Sequence, residues 1–356
     1  MLTEAEMSTN PLRIAFFDAK PYDRRSFDDV NSVFGFEISY FEERLHPGTM
    51  ALASGFPVVC VFVNDVVDRK VVEHLVANGT DLLALRCAGY NNVDFKAAYG
   101  KLHVVRVPAY SPHAVAEHAA ALLLSLNRKT HKSYYRTREG NFNINGLLGF
   151  DLHGKTAGII GTGRIGRCLV PILQGFGMEI LVYDAHPDEE YAEKVGIRYV
   201  SLTELYANAD VISLHCPLLP ETQYLIDAES IGRMKRGVVL INTSRGKLID
   251  TQALITGLKS GRIGAAGLDV YEEEGNYFFE DLSTEMIDDD VLARLLTFPN
   301  VLVTSHQGFF TREALENIAR TTLQNIGTFQ NGQASANEIC YHCQDPCKRK
   351  QGKPCF

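Results

Sequence analysis

The chain has 356 residues, a length at which one hydrophobic core usually gives way to two, and its 46% hydrophobic and 22% charged residues are ordinary for a globular protein. Its formal net charge of −8, from 35 Lys and Arg against 43 Asp and Glu, excludes a general electrostatic attraction to nucleic acid or an anionic membrane, so an anionic substrate needs a local cluster of positive charge. No apolar run reaches the roughly 18 residues of a membrane-spanning helix, and residues 1–10 carry no signal-peptide core, so the expected location is the cytoplasm, with reduced thiols.

Up to residue 107, short apolar runs at 13–18, 36–41, 58–63, 82–86 and 104–107 alternate with helix-like stretches such as 69–78, which Gly79 closes. Such alternation predicts a parallel sheet covered on both faces. A long helical pattern then runs from Pro112 to Arg138, with Ser111 as its N-cap and Pro112 in its first turn. A second strand series follows at 156–160, 180–184, 210–215, 238–242, 266–270 and 301–305, about the six strands of a full dinucleotide-binding sheet. A last helix is predicted from Thr311 to about residue 330. Cys60, Cys87, Cys168 and Cys216 lie in apolar segments and read as buried small hydrophobes.

The segment Gly161-Thr-Gly-Arg-Ile-Gly166 lies between a predicted strand and a predicted helix. Gly161, Gly163 and Gly166 there suit a tight turn, close backbone approach to a pyrophosphate, and close packing of helix on strand. Asp184 ends the next strand, where a carboxylate accepts hydrogen bonds from ribose hydroxyls and repels a 2′-phosphate. The expected cofactor is NAD.

Ligands bind at the carboxyl ends of strands in such sheets. Three neighbouring ends offer Arg245, the run Glu272 to Glu274, and His306. A guanidinium can hold the carboxylate of a 2-keto acid through two parallel bonds and polarise the carbonyl. Histidine can protonate the alkoxide left by hydride transfer, and a glutamate on its other ring nitrogen orients it.

These motifs, together with Arg86-Cys-Ala-Gly-Tyr-Asn-Asn-Val-Asp94, Val107-Pro-Ala-Tyr-Ser-Pro-His-Ala-Val-Ala-Glu-His118, Ile212-Ser-Leu-His-Cys-Pro217, Gly267-Leu-Asp-Val-Tyr271 and Ser305-His-Gln-Gly308, resemble the D-isomer-specific 2-hydroxyacid dehydrogenases, most closely the bacterial fermentative D-lactate dehydrogenases. The resemblance runs from about Arg13 to about Ile339. It implies an α/β fold of two Rossmann-like, doubly wound parallel-sheet domains. The NAD-binding domain (111–309) is inserted in a flavodoxin-like substrate domain (1–110 and 310–339), with a Cys-rich tail at 340–356. It assigns the catalytic trio to Arg245, Glu274 and His306, and substrate binding to the backbone of Ala88 and Gly89 and to Tyr110. Cofactor contacts carry over to Arg164, Ile165, Asp184, Cys216, Pro217, Thr222, Thr243, Ser244 and Asp269. The implied reaction is reversible reduction of pyruvate to D-lactate, in a homodimer or homotetramer. Phe62, Tyr110 and Phe309 are bulky candidates for a pocket that favours a short side chain.

The tail departs from the family pattern. Cys340, Cys343, Cys347 and Cys355, with His342 as a substitute, offer metal-ligand chemistry that fits no standard finger spacing. A flexible basic tail with exposed thiols is the plainer expectation. Two other functions compete: a dehydrogenase of the same family for another 2-keto acid, and an NAD(H)-sensing protein of the corepressor kind.

Overall fold

A computed structural model describes residues 11–342. The chain divides into two compact units, one taking it up to Ser111 and again from Thr311, the other comprising Pro112–Phe310.

The first unit is built on five parallel strands, β1 (Arg13–Phe16), β2 (Glu37–Tyr40), β3 (Val58–Val61), β4 (Leu82–Leu85) and β5 (His103–Arg106), in the order β2-β1-β3-β4-β5. That order is the flavodoxin-like one. Each residue of β3 and β4 is buried, as expected of central parallel strands covered on both faces. Ile14 stands opposite Ile38 and Val58, and Leu82 opposite Val58 and His103, which sets all five carboxyl ends along one edge. The helix Arg312–Gln330, capped by the Thr311 side chain on Ala314 N–H, packs on the helix Pro21–Asn31 and on β4. Asn325 Nδ2 donates to the Arg106 carbonyl at 3.0 Å, and Glu338 forms an antiparallel bridge with Val105, tying this late segment to β5.

The second unit carries seven parallel strands: β6 (Thr156–Ile160), β7 (Glu179–Tyr183), β8 (Arg198–Tyr199), β9 (Val211–Leu214), β10 (Val238–Asn242), β11 (Ile263–Leu268) and β12 (Val301–Val303), in the order β12-β11-β10-β9-β6-β7-β8. Read from β8, this is the dinucleotide-binding order with one further strand. The extra member relative to the sequence expectation is β8, whose two residues are too short to show a period. Alternation along β10 divides the core: Val239 and Ile241 face one layer with Ala120, Leu123 and Leu173, and Val238 and Leu240 face another with Leu205, Leu254 and Leu295.

The helical pattern at 112–138 is corrected to two helices, Pro112–Arg128 and Thr130–Arg138. Lys129 has φ +51°, outside the right-handed helical region. The Asn127 side chain there leaves the helix's own bonding, donating to the Phe150 carbonyl at 2.7 Å and accepting from its N–H at 2.8 Å. A loop thus docks at the point where the helix breaks.

Among the described residues, no helix is long and apolar enough to cross a membrane, and no group of three His, Cys, Asp or Glu side chains is placed to hold a metal ion. Cys340 is buried; Cys343, Cys347 and Cys355 lie outside the described residues.

Candidate active site

The glycine turn leaves β6 and opens the helix Arg164–Gly175. A Cβ on Gly161, whose φ is +98°, would stand 2.6 Å from Cys216 N, and one on Gly166 would stand 2.1 Å from the Gly161 carbonyl oxygen. Packing within the protein therefore demands both glycines. At Gly163 a Cβ would meet nothing within 4 Å, so the missing side chain leaves open space in front of the helix. Gly163 is also the N-cap and supplies no side chain to the first-turn N–H groups, which leaves them for an anion. Arg164 is exposed beside them.

Asp184, at the end of β7, accepts Thr162 N–H at 2.7 Å and the Thr162 hydroxyl at 3.0 Å on one oxygen, and His186 N–H at 2.9 Å on the other. Partial burial pushes this carboxyl up, but those bonds from His186 and Thr162 outweigh it and hold the group below its ordinary range. It is an ionised acceptor already oriented against the glycine turn. Cys216 and Thr243, at the neighbouring strand ends, are buried. Burial pushes the Cys216 thiol up to about 11, and the buried Thr243 hydroxyl has no hydrogen-bond partner among the described residues. Ser244 Oγ donates to the Cys216 carbonyl at 3.2 Å, and Thr222 Oγ1 donates to the Pro217 carbonyl at 2.7 Å while accepting Leu219 N–H at 2.8 Å. These bonds shape the loops that flank the turn. The residues fit a dinucleotide.

The neighbouring ends of β10, β11 and β12 carry the ionisable groups. Buried Asn242 clamps the turn after β10, accepting Ser244 N–H at 3.0 Å and donating to the Arg245 carbonyl at 2.9 Å. Arg245 makes no ion pair among the described residues; its Nη1 donates to the adjacent Ser244 carbonyl at 2.6 Å. The three consecutive glutamates after β11 have three fates. Glu272 caps the helix Thr251–Ser260 by accepting Thr251 N–H at 2.8 Å, Glu273 pairs with Lys247 at 3.3 Å, and Glu274 Oε1 bonds His306 Nδ1 at 2.8 Å. The second Glu274 oxygen accepts Tyr271 N–H at 3.0 Å, which fixes the carboxylate.

His306 stands on a strained turn with φ +53°. Asp269, 1% exposed, holds that turn: its carboxylate accepts the Thr304 hydroxyl at 2.6 Å, Gln307 N–H at 2.9 Å and Gly308 N–H at 2.8 Å, with His118 Nε2 at 3.2 Å. Glu274 engages Nδ1 and leaves Nε2 as the other ring nitrogen. Asn242, His118 and Thr304 are supports that sequence reasoning missed, because nothing in their local spacing marks them.

In the five-stranded unit, the loop after β4 presents Ala88 and Gly89. The carbonyls of Cys87, Ala88 and Gly89 are taken by Val107 N–H at 3.2 Å, Arg106 Nη1 at 2.8 Å and Cys87 Sγ at 3.2 Å. The N–H groups of Ala88 and Gly89 have no acceptor among the described residues. Two adjacent backbone donors without an acceptor are the feature an anion takes. The Tyr110 carbonyl accepts Asn317 Nδ2 at 2.8 Å, while Phe62 and Phe309 are buried in different units.

A dinucleotide turn beside a histidine–carboxylate pair on neighbouring strand ends is the arrangement of an NAD-linked oxidoreductase. The sequence profile for "D-isomer specific 2-hydroxyacid dehydrogenase, NAD binding domain" matches residues 120–308. The chain is 55% identical to 2-hydroxyacid dehydrogenase homolog 1 of Schizosaccharomyces pombe, over 89% of this chain and 96% of that protein. It is 49% identical to D-lactate dehydrogenase of Escherichia coli, over 92% of this chain and 100% of that one. The solved pyruvate reductase of Chlamydomonas reinhardtii superposes with a TM-score of 0.86 at 44% identity, covering 90% of this chain and 97% of that one. The chain belongs to the D-isomer-specific 2-hydroxyacid dehydrogenase family, and its cofactor is NAD.

Proposed function

We propose that this dehydrogenase reduces pyruvate to D-lactate, reversibly, and that Arg245, Glu274 and His306 carry the reaction. Arg245 holds the substrate carboxylate and polarises the carbonyl. The N–H groups of Ala88 and Gly89 are donors for a substrate carboxylate. The reduced nicotinamide supplies the hydride to the carbonyl carbon. His306 Nε2 gives its proton to the oxygen as the alkoxide forms, and Glu274 stabilises the imidazolium until that transfer. The observation that supports this reading most is the 2.8 Å bond between His306 Nδ1 and Glu274, because it leaves Nε2 as the proton donor. Phe62 and Tyr110, bulky side chains of the five-stranded unit, favour a methyl side chain on the keto acid.

NADH oxidation with a panel of 2-keto acids, ranked by kcat/KM, tests the substrate. Pyruvate is expected first; a larger acid ahead of it by tenfold or more, roughly the worth of a methylene or two in a pocket, overturns the substrate assignment. His306→Asn is expected to lower kcat by about 10²- to 10⁴-fold with little change in NADH binding. Retained activity removes His306 from the mechanism.

The protein is further proposed to self-associate. Phe142, Ile144 and Leu148 are 77%, 79% and 88% exposed in one stretch, beside the basic helix Thr130–Arg138 on a chain of net charge −8. A second copy of this acidic, apolar-bearing chain is the occupant that suits both features.

A further inference from the structure

Four ionisable side chains in the five-stranded unit are packed out of water near the carboxyl ends of β1, β3 and β4: Asp18, Asp23, Asp65 and Arg86. The Arg86 guanidinium is 1% exposed and lies between two rings, 4.4 Å from the Phe16 centroid and 4.7 Å from that of Phe62. Its Nη2 donates to the Asp18 carbonyl at 2.7 Å and stands 3.6 Å from Asp23 Oδ2. Its Nε and Nη1 have no hydrogen-bond partner among the described residues. Stability alone is a weak reason for such a group, because an apolar side chain of similar volume often serves as well or better.

What distinguishes Arg86 is its place in the chain. It is the residue immediately before Cys87-Ala88-Gly89, and its own N–H donates to the Val61 carbonyl at 3.1 Å, so its backbone is fixed at the sheet edge. The loop after β3 is stitched to the same point. Asp65 accepts Phe62 N–H at 2.5 Å and Leu45 N–H at 2.6 Å, and Asn92 Nδ2 donates to the Phe62 carbonyl at 2.9 Å and the Asp65 carbonyl at 2.8 Å. Lys20 at 3.0 Å and Arg44 at 3.9 Å from Asp18 offset the remaining negative charge at the rim.

We infer that Arg86 is a positioning residue for substrate binding: by drawing Phe16, Phe62, Asp18 and Asp23 around one guanidinium, it sets where the free N–H groups of Ala88 and Gly89 and the Phe62 ring stand. The inference rests on the proposed assignment of the 87–89 loop to the substrate carboxylate. A carboxylate held there is bound alike before and during hydride transfer, so displacing the loop weakens KM and spares kcat. A planar guanidinium can stack between two rings and bond forward at once; an ammonium cannot.

The experiment compares wild type with Arg86→Lys and Asp23→Asn. The readouts are steady-state kinetics with pyruvate, NADH binding, thermal melting, and binding of oxamate, a non-reacting carboxylate analogue, to the enzyme–NADH complex. In both variants, KM for pyruvate and Kd for oxamate are expected to rise about tenfold or more, with kcat within about threefold and NADH affinity unchanged. A lowered melting temperature with unchanged KM and oxamate affinity overturns the inference and leaves Arg86 a structural residue. If Arg86→Lys does not fold, Asp23→Asn, which keeps the guanidinium, decides by the same criteria. A wild-type protein that neither turns over a 2-keto acid nor binds oxamate overturns the underlying site assignment instead, and the inference with it.

Discussion

His215 shows how one buried side chain writes a pH dependence into the protein. It closes β9, beside the glycine turn, with Nε2 at 2.8 Å from Ser213 Oγ and Nδ1 unpartnered among the described residues. Burial pushes its pKa down from 6.5 to about 4. The unfolded chain takes up the proton first, so the contribution of this residue to stability is full above pH 6.5 and is lost as pH falls toward 4. A shift of that size corresponds to about 3 kcal/mol. Urea unfolding of wild type and His215→Gln at pH 7.5 and pH 4.5 should show the variant losing less stability on acidification; parallel losses would exclude the residue as a source.

At the scale of elements, two glycines at strand ends have opposite expected phenotypes. A Cβ on Gly246 would stand 2.0 Å from the Tyr271 carbonyl carbon and 2.4 Å from Glu272 N, so Gly246→Ala must separate the loop carrying Arg245 from the loop carrying Glu274. Its expected result is a kcat/KM loss of about 10²-fold, the scale of a misplacement near 1 Å. Overpacking should add about 1–3 kcal/mol of destabilisation. Gly163→Ala meets no protein atom, so its fold should be unchanged while NADH affinity drops by tenfold or more, about the scale of losing one phosphate-facing hydrogen bond. Calorimetry and NADH titration separate the two; a Gly163→Ala protein with wild-type affinity would remove that glycine from the pyrophosphate site. The same scale explains the helix break at Lys129: the side chain of Asn127 and the backbone of Phe150 satisfy each other, and the helix yields to that long-range pairing.

For the whole molecule, the proposed self-association is tested by light scattering on the full chain across a dilution series. An assembly is expected, and Ile144→Asp with Leu148→Asp should weaken it, since burying two unpaired charges in an interface costs several kcal/mol. A monomer at every concentration would leave the exposed stretch without a partner of its own kind.

Elements whose signal is local are legible from the residues alone. Continuous apolar runs mark β3, β4 and the first four residues of β10 because both faces are buried. The Gly161, Gly163 and Gly166 spacing is legible because a turn against a pyrophosphate is a short-range constraint. Contacts far apart in the chain appear only in the folded protein, apart from what the family resemblance implied for Glu274. Glu272, Glu273 and Glu274 are chemically identical neighbours, separated only by which of Thr251, Lys247 and His306 comes within reach. Arg86 reads as one charge after a strand until Phe16, Asp18, Asp23 and Phe62 close around it. Periodicity records which way a side chain points, and partners that meet across many residues leave no trace in it.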